Sequence, residues 1–471
     1  MSESPRPPAP RVPTGPRQDA MPDVGAATTA VGSGPAGAPA AAPRGTAPDA
    51  ATRRRVIAAS FIGNFVEWFD YAAYGYLAVV IAAAFFPESD PGVGLMLTFG
   101  LFALSFLVRP IGGFVWGALG DRIGRRTALS WSILLMSLST FCIALIPPYA
   151  AIGLAAPLLL LAARLLQGFS ASGEYAGASA FLVEYAPSHR RGLYAAVVPA
   201  STAAGLLLGS VLAALLTGLL STEAMGGWGW RLPFLLAAPL GLIGRYIRTK
   251  LEDTPAFHAA QSQAPEATPL RALLTDHWRA LLTASGAVLL NAVGFYVLLS
   301  YMPTYLSETI GLGSSESYLV TTVALLTYIG FILAVGRLSD RFGRKRVLIA
   351  ASVLFVLLTV PAFMALGTGS LPVVLLTQVL LGGMLALNDG TLPSFLAEKF
   401  PTRVRYSGFA VSFNLSNAVF GGTAPLVATT LIAVTHSELA PGWYLMGAAL
   451  VSLVAVAVSM ETRFTTLDSK D

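Results

Sequence analysis

Ionisable residues stand inside long apolar stretches of this chain, among them Glu67, Asp70, Arg109, Arg164, Glu174 and Asp389. At the centre of a membrane helix such a group costs about 2.5–3.5 kcal/mol on insertion scales, so one that is kept there marks a functional path by default. The densest set lies in 64–74. Asn64, Glu67, Asp70, Tyr71 and Tyr74 fall within an arc of roughly 120° at 100° per residue, one polar, aromatic stripe on an otherwise apolar helix. A carboxyl on that stripe can take up and release a coupling proton. The structural alternative is an ion pair or hydrogen bond to another helix. Glu67 and Asp70 are the first candidates for proton coupling, and Glu174 and Asp389 are the others.

The bases suggest a complementary task. Arg164, Gln167 and Glu174 share a helix face, at offsets of three and ten residues. A guanidinium fork suits a solute carboxylate, and a structural pair between Arg164 and Glu174 is the competing reading. Arg109, just before Pro110, suits a structural or gating pair with an acid of the first stripe, with direct solute contact as the alternative. Asn291, Tyr296 and Tyr301 mark a later stretch, followed by Asn388 beside Asp389, then Asn414 and Asn417. Trp68, Tyr71, Tyr74, Tyr296 and Tyr301 permit an aromatic cage for an ammonium group; aromatics at helical spacing also serve as packing or interface residues. The candidate solute-binding set is therefore Tyr71, Tyr74, Arg109, Arg164, Gln167, Asn291, Tyr296, Tyr301, Asn388 and Asn414. Enzyme chemistry finds no support. No HExxH spacing, phosphate loop or nucleophile motif occurs, and His189, His258, His277 and His436 stand singly in loops. No cofactor or metal is expected.

These side chains need helices to hold them. Apolar residues make up 55% of the 471 and charged residues 12%, about half the share of a soluble domain, so the chain belongs in a bilayer. The basic residues sit in short loops rather than on a patch, which excludes a nucleic-acid partner. Twelve apolar stretches of about 20 residues or more, each long enough to cross as a helix, follow from position 56: 56–85, 95–118, 127–147, 155–186, 192–219, 230–250, 279–306, 315–336, 347–366, 371–398, 404–433 and 440–460. Loops at 119–126, 187–191, 337–346 and 399–403 carry Lys or Arg. Those near 86–94, 148–154, 220–229, 307–314, 367–370 and 434–439 carry none. The positive-inside rule then puts both termini and the connector 251–278 in the cytoplasm of a multi-pass protein of the cell (inner) membrane. Residues 1–52, rich in Pro, Ala, Gly and Ser, read as a disordered tail. Residues 53–250 and 279–462 read as two six-helix bundles joined by the connector, with 463–471 as a short second tail.

Duplication supports two halves. Gly117-Ala-Leu-Gly-Asp-Arg-Ile-Gly-Arg-Arg126 returns as Gly336-Arg-Leu-Ser-Asp-Arg-Phe-Gly-Arg-Lys345. Glu184-Tyr-Ala-Pro-Ser-His-Arg-Arg191 returns, at a similar offset, as Glu398-Lys-Phe-Pro-Thr-Arg-Val-Arg405. The expected fold is an all-α membrane protein of twelve transmembrane helices in two pseudo-symmetric bundles. Gly117, Asp121, Arg122, Gly124 and Arg125, with Gly336, Asp340, Arg341, Gly343 and Arg344, stand out in these loops: the charges can form a network with neighbouring helix ends, where an Asp near a helix N-terminus is favoured by the dipole. Plain anchoring by positive charge is the simpler role for the same loops.

The two loops resemble the signature of the major facilitator superfamily. The strings Gly63-Asn-Phe-Val-Glu-Trp-Phe-Asp-Tyr71, Val108-Arg-Pro-Ile-Gly-Gly113, Arg164-Leu-Leu-Gln-Gly-Phe169, Gly173-Glu-Tyr175, Gly229-Trp-Arg-Leu-Pro233 and Phe400-Pro-Thr-Arg-Val-Arg-Tyr406 resemble its metabolite:proton symporter branch. The resemblance covers about 53–462. It implies alternating access, with the duplicated loops as latches of an inner gate and a small-molecule solute as partner. The implied coupling ion is a proton, with sodium as the alternative, and the implied working unit is a monomer. Ser139-Thr-Phe-Cys-Ile-Ala-Leu-Ile-Pro147, Leu251-Glu-Asp-Thr-Pro-Ala-Phe257 and Tyr301-Met-Pro-Thr-Tyr-Leu306 resemble the branch's osmoprotectant carriers, of proline and betaine. Dicarboxylate, citrate or shikimate-type acids are the alternative solutes, and drug export is a more distant one. The branch's osmosensory members carry a coiled coil after the last helix, whereas 463–471 holds no heptads.

Overall fold

A computed structural model describes residues 50–87, 90–112, 115–116, 125–172, 174–249, 273, 275–401 and 405–463. Every described element is a helix. Twelve spans result. They are α1 (Ala50–Tyr76 with its continuation Ala78–Phe85), α2 (Pro91–Gly112), α3 (Arg125–Leu145), α4 (Ala155–Ser170 and Glu174–Tyr185), α5 (Arg191–Leu219), α6 (Arg231–Thr249), α7 (Trp278–Thr309), α8 (Ser314–Phe342), α9 (Arg344–Leu366), α10 (Leu371–Lys399), α11 (Ser407–Thr435) and α12 (Ala440–Ala457). Among the described residues nine spans are long and apolar enough to cross a bilayer on their own, and α1, bent by 62° after Tyr76, makes a tenth. In hydrocarbon a backbone must satisfy its own hydrogen bonds, and the helix does so within one segment. Large apolar side chains such as Leu145, Leu158, Leu282, Leu357, Leu376 and Val454 are left exposed, as lipid-facing surface requires.

Local chemistry sets the ends. Asp90 caps α2, accepting from Gly92 N at 2.9 Å, with Pro91 in the first helical position where a missing N–H costs nothing. Gly343 ends α8 at φ 100°, a conformation closed to side chains with a Cβ, and so turns the chain directly into α9. Glycines also set helix spacing: a Cβ on Gly168 would fall 1.8 Å from the Ser105 carbonyl oxygen, so α4 lies backbone-to-backbone on α2.

The packing repeats with an offset of six helices. The pairs α1–α5, α1–α6, α2–α4, α3–α4 and α3–α6 recur as α7–α11, α7–α12, α8–α10, α9–α10 and α9–α12. The halves meet through α5 on α8, α2 on α11, α1 on α7 and the lower part of α4 on α10 and α11. Among the described residues four segments wind as π-helix: Met225–Gly229, Tyr296–Tyr301, Tyr305–Thr309 and Asn417–Gly421. Such turns recur at functional sites. Two of them meet here, since a Cβ on Gly421 would lie 2.7 Å from the Tyr296 ring.

Candidate functional site

Two buried polar clusters face the junction of the halves. In the first half the stripe on α1 divides its work. Asn64 donates to the Val198 carbonyl at 3.1 Å and to Ser201 at 3.0 Å, tying α1 to α5. Glu67, three residues on, accepts from Arg109 Nη2 of α2 at 2.8 Å, and both groups are buried. The Arg109 guanidinium also lies over the Phe106 ring at 4.3 Å and the Tyr71 ring at 4.8 Å. Arg164 of α4 is wholly buried. It donates to Gln167 and to Ser105 Oγ at 3.2 Å, and lies 4.1 Å from the Tyr74 ring centre. Gln167 passes the chain on to Thr140 at 2.7 Å. Asp70 shares the electrostatic surroundings of Arg164, Glu67 and Thr140. Yet the Thr140 hydroxyl donates to the Met136 carbonyl, and neither Asp70 oxygen accepts a hydrogen bond. A buried carboxyl without a donor, in the field of Arg164, can change its proton occupancy without breaking an existing bond.

The second half builds a different cluster. Asp389 of α10 accepts from Asn291 Nδ2 of α7 at 2.8 Å, from Asn388 Nδ2 at 2.9 Å and from the Tyr328 hydroxyl of α8 at 2.6 Å. Its donors are all neutral, and among the described residues no lysine or arginine pairs with it. Between the clusters lies a cavity of about 10 Å³, room for roughly one water molecule. Trp68, Tyr175 and Thr202 line it from the first half, and Asn291, Phe295, Phe413 and Asn417 from the second.

Both ends are packed shut. At the end with the lysine- and arginine-free loops, the Tyr76 hydroxyl donates to the Leu299 carbonyl at 2.5 Å, Tyr318 donates to the Tyr76 carbonyl, and Ser210 and Thr322 share a bond of 2.7 Å. Towards the basic end, Tyr175 stacks on Phe413 at 4.2 Å with planes 4° apart. Beyond them Asp340 of α8 accepts from Gly192 N at 2.8 Å and Leu193 N at 3.0 Å, in the first turn of α5. Gly336 permits that approach, because a Cβ there would meet the Gly192 carbonyl oxygen at 2.8 Å. Arg344 holds Asp340 at 2.8 Å and Glu398 at 3.2 Å. Thr462 donates to the same Glu398 at 2.9 Å, and Glu461 caps α9 by accepting from Arg344 N at 2.8 Å. Gly343 leaves room for that carboxylate: a Cβ would fall 2.6 Å from it. Arg341 stays outside the network, exposed and 5.5 Å from the Phe342 ring centre. Gly117, Asp121, Arg122 and Gly124 lie outside the described residues, as does the Arg125 side chain, so only the second of the duplicated loops is described.

The structure thus brings Glu67, Asp70, Tyr71, Tyr74, Arg109, Arg164 and Gln167 into one cluster, and Asn291, Asn388 and Asp389 into the other. Tyr296 joins the first across the interface, 5.3 Å from Phe106 and 5.8 Å from Trp68. Three placements differ from the sequence reading. Arg164 turns to Gln167, Ser105 and the surroundings of Asp70 rather than along its own helix to half-buried Glu174. Tyr301 leaves the expected cage for Phe99, at 5.5 Å, and for Thr429. Asn414 is half-buried away from the cavity, which Asn417 lines instead. Tyr328, Phe295 and Phe413 were missed, because a neutral aromatic in an apolar helix carries no signal of its own. Tyr175, within the quoted Gly173-Glu-Tyr175 string, had one.

Twelve membrane-crossing helices in two matching halves, with buried charges where the halves meet, define a solute carrier. The chain belongs to the major facilitator superfamily, whose model matches residues 60–422 and 284–467, and is a transporter rather than an enzyme. It is 40% identical over 419 residues to a glycine betaine/proline/ectoine/pipecolic acid transporter of Dickeya dadantii, covering 87% of this chain and 83% of that one. It is 38% identical over 419 residues to the proline/betaine transporter of Escherichia coli K12, covering 87% and 84%. The fold is similar to that of a crystallised D-xylose–proton symporter, with TM-score 0.70 and 18% identity over 87% of this chain and 98% of the other. A xylose symporter bound to 6-bromo-6-deoxy-D-glucose gives a TM-score of 0.73 at 16% identity, over 89% and 98%.

Proposed function

We propose that this chain takes up small zwitterionic osmolytes of the proline and glycine betaine type, coupled to protons, by alternating access. The observation that carries the reading is the pair of opposed clusters, arginines on one side and a lone carboxylate on the other, in a chain 40% identical to a transporter of such solutes. Arg109 and Arg164 present guanidinium forks to a solute carboxylate. Asp70 is the coupling site: protonated, it releases the Arg164 field for the solute; deprotonated, it competes for that field. Asp340, seated on the first turn of α5, holds the basic face closed until the halves rock apart. The loop charges put that face in the cytoplasm of a cell-membrane protein, with both termini on the same side. Both clusters and the cavity come from the two halves of one chain, which supports a monomer as the working unit.

The test is uptake of labelled proline, glycine betaine, α-ketoglutarate and shikimate into proteoliposomes with an imposed pH gradient. Proline and betaine should accumulate, and collapsing the gradient should abolish accumulation. Uptake indifferent to the gradient would sink proton coupling. Preference for α-ketoglutarate or shikimate would reassign the solute to the carboxylic acids.

A further inference from the structure

We propose that Asp389, with the aromatic cavity in front of it, is the subsite for the positively charged nitrogen of the solute, so that a zwitterion lies across the interface with its carboxylate towards Arg109 and Arg164. The inference rests on the osmolyte reading above and adds an orientation and a set of residues to it.

The charge distribution comes first. Arg109 and Arg164, whose guanidinium groups lie against Tyr71, belong to the first half, whereas the second half offers a carboxylate held by neutral donors. The repeat makes the contrast sharper. Tyr328 follows Arg109 at the same 219-residue offset that separates Gly117 from Gly336. Where the first half sets Arg109 against Glu67, the second sets a tyrosine against Asp389, and every hydrogen bond runs into the carboxylate. The negative charge is therefore left for a cation that the second half does not itself supply.

The cavity supplies the rest. Asn291 both lines it and donates to Asp389, so a cation there lies one side chain from the carboxylate. Beside Pro199, Thr202 and Asn417, its walls carry four aromatic rings in two pairs: Trp68 with Phe295, ring centres 4.9 Å apart, and Tyr175 with Phe413. Each pair takes one ring from each half, so parting of the halves exposes ring faces that are covered now. A quaternary ammonium, which cannot donate a hydrogen bond, is attracted by ring faces and by through-space charge.

The probes are glycine betaine and 3,3-dimethylbutanoate, the isostere in which carbon replaces the nitrogen, each measured as inhibition of labelled proline exchange in proteoliposomes without a gradient. The full-length wild type should prefer betaine at least tenfold. Asp389→Asn should weaken betaine at least tenfold and leave the isostere within twofold. Trp68→Leu should do the same, and Trp68→Phe should stay within threefold of wild type. If Asp389→Asn does not fold, the Trp68 pair decides. Betaine exchange at wild-type half-saturation in Asp389→Asn, with loss of gradient-driven accumulation alone, would make Asp389 a proton site and overturn the proposal. Equal weakening of both probes would make the residues structural and overturn it too. A wild type that exchanges neither proline nor betaine fails the osmolyte reading itself, a result distinct from either.

Discussion

Replacing Asp340 by alanine should open the basic face of the carrier. The side chain is largely buried and accepts two backbone N–H groups of the opposite half, at 2.8 and 3.0 Å. Hydrogen bonds to a charged group contribute about 1.5–3 kcal/mol each; taking the lower value, because the side chain keeps some solvent contact, gives about 3 kcal/mol for the two. These bonds exist only while α5 and α8 touch at that face, so the whole amount biases the closed state. At 1.4 kcal/mol per decade the open-to-closed ratio should rise about 100-fold. Asparagine keeps an acceptor and loses the charge, so about tenfold is expected. Arg344 keeps Glu398 as a partner in either variant, which prevents a stranded cation from confusing the reading. The assay is electron–electron distance measurement between spin labels at the exposed positions Arg190 and Arg346, in a Cys142→Ser background. Arg341→Ala serves as control, since Arg341 rests on Phe342 outside the network. A distribution unchanged by Asp340→Ala, or changed equally by Arg341→Ala, would refute the latch.

Other expectations follow from the same geometry. Asp70→Asn should abolish accumulation against a gradient while proline exchange keeps within about threefold of its rate; loss of both would remove Asp70 from the coupling role. Arg109→Gln removes the guanidinium that buried Glu67 pairs with, a loss of about 3–5 kcal/mol for one-sided removal of a buried pair. Thermal unfolding in detergent should therefore fall by several degrees, and the double variant with Glu67→Gln should recover most of it. A double variant no better than the single one would mean the pair is not energetically coupled. Gly168→Ala should sharply lower the folded yield, because its Cβ would overlap the Ser105 carbonyl, whereas Gly330→Ala, with open space around it, should be neutral. Equal yields would contradict the close α2–α4 contact.

The helices and their two-half arrangement were legible because each leaves a mark in one dimension. A bilayer span needs about 20 apolar residues, and the duplicated loops date the halves to one repeat. The buried charges were legible for the same reason, as rare letters in an apolar text. Their partners were not. A helical wheel gives the angle between residues of one helix but neither their separation along it nor the rotation of that helix against its neighbours. Arg164 and Glu174 share a face, yet ten residues rise about 15 Å, beyond the reach of a direct pair, so Arg164 finds Gln167 one turn away and Ser105 on α2. The π-turn at Asn417–Gly421 changes the winding of α11 just where two asparagines compete for the cavity, and the cavity goes to Asn417. Asp389 shows both limits at once. Its charge drew attention in the sequence, but its meaning depends on two neutral partners from other helices: Asn291, marked in the sequence only as a solute-binding candidate, and Tyr328, which carried no signal. It is that neutrality which leaves the carboxylate's charge available to a solute.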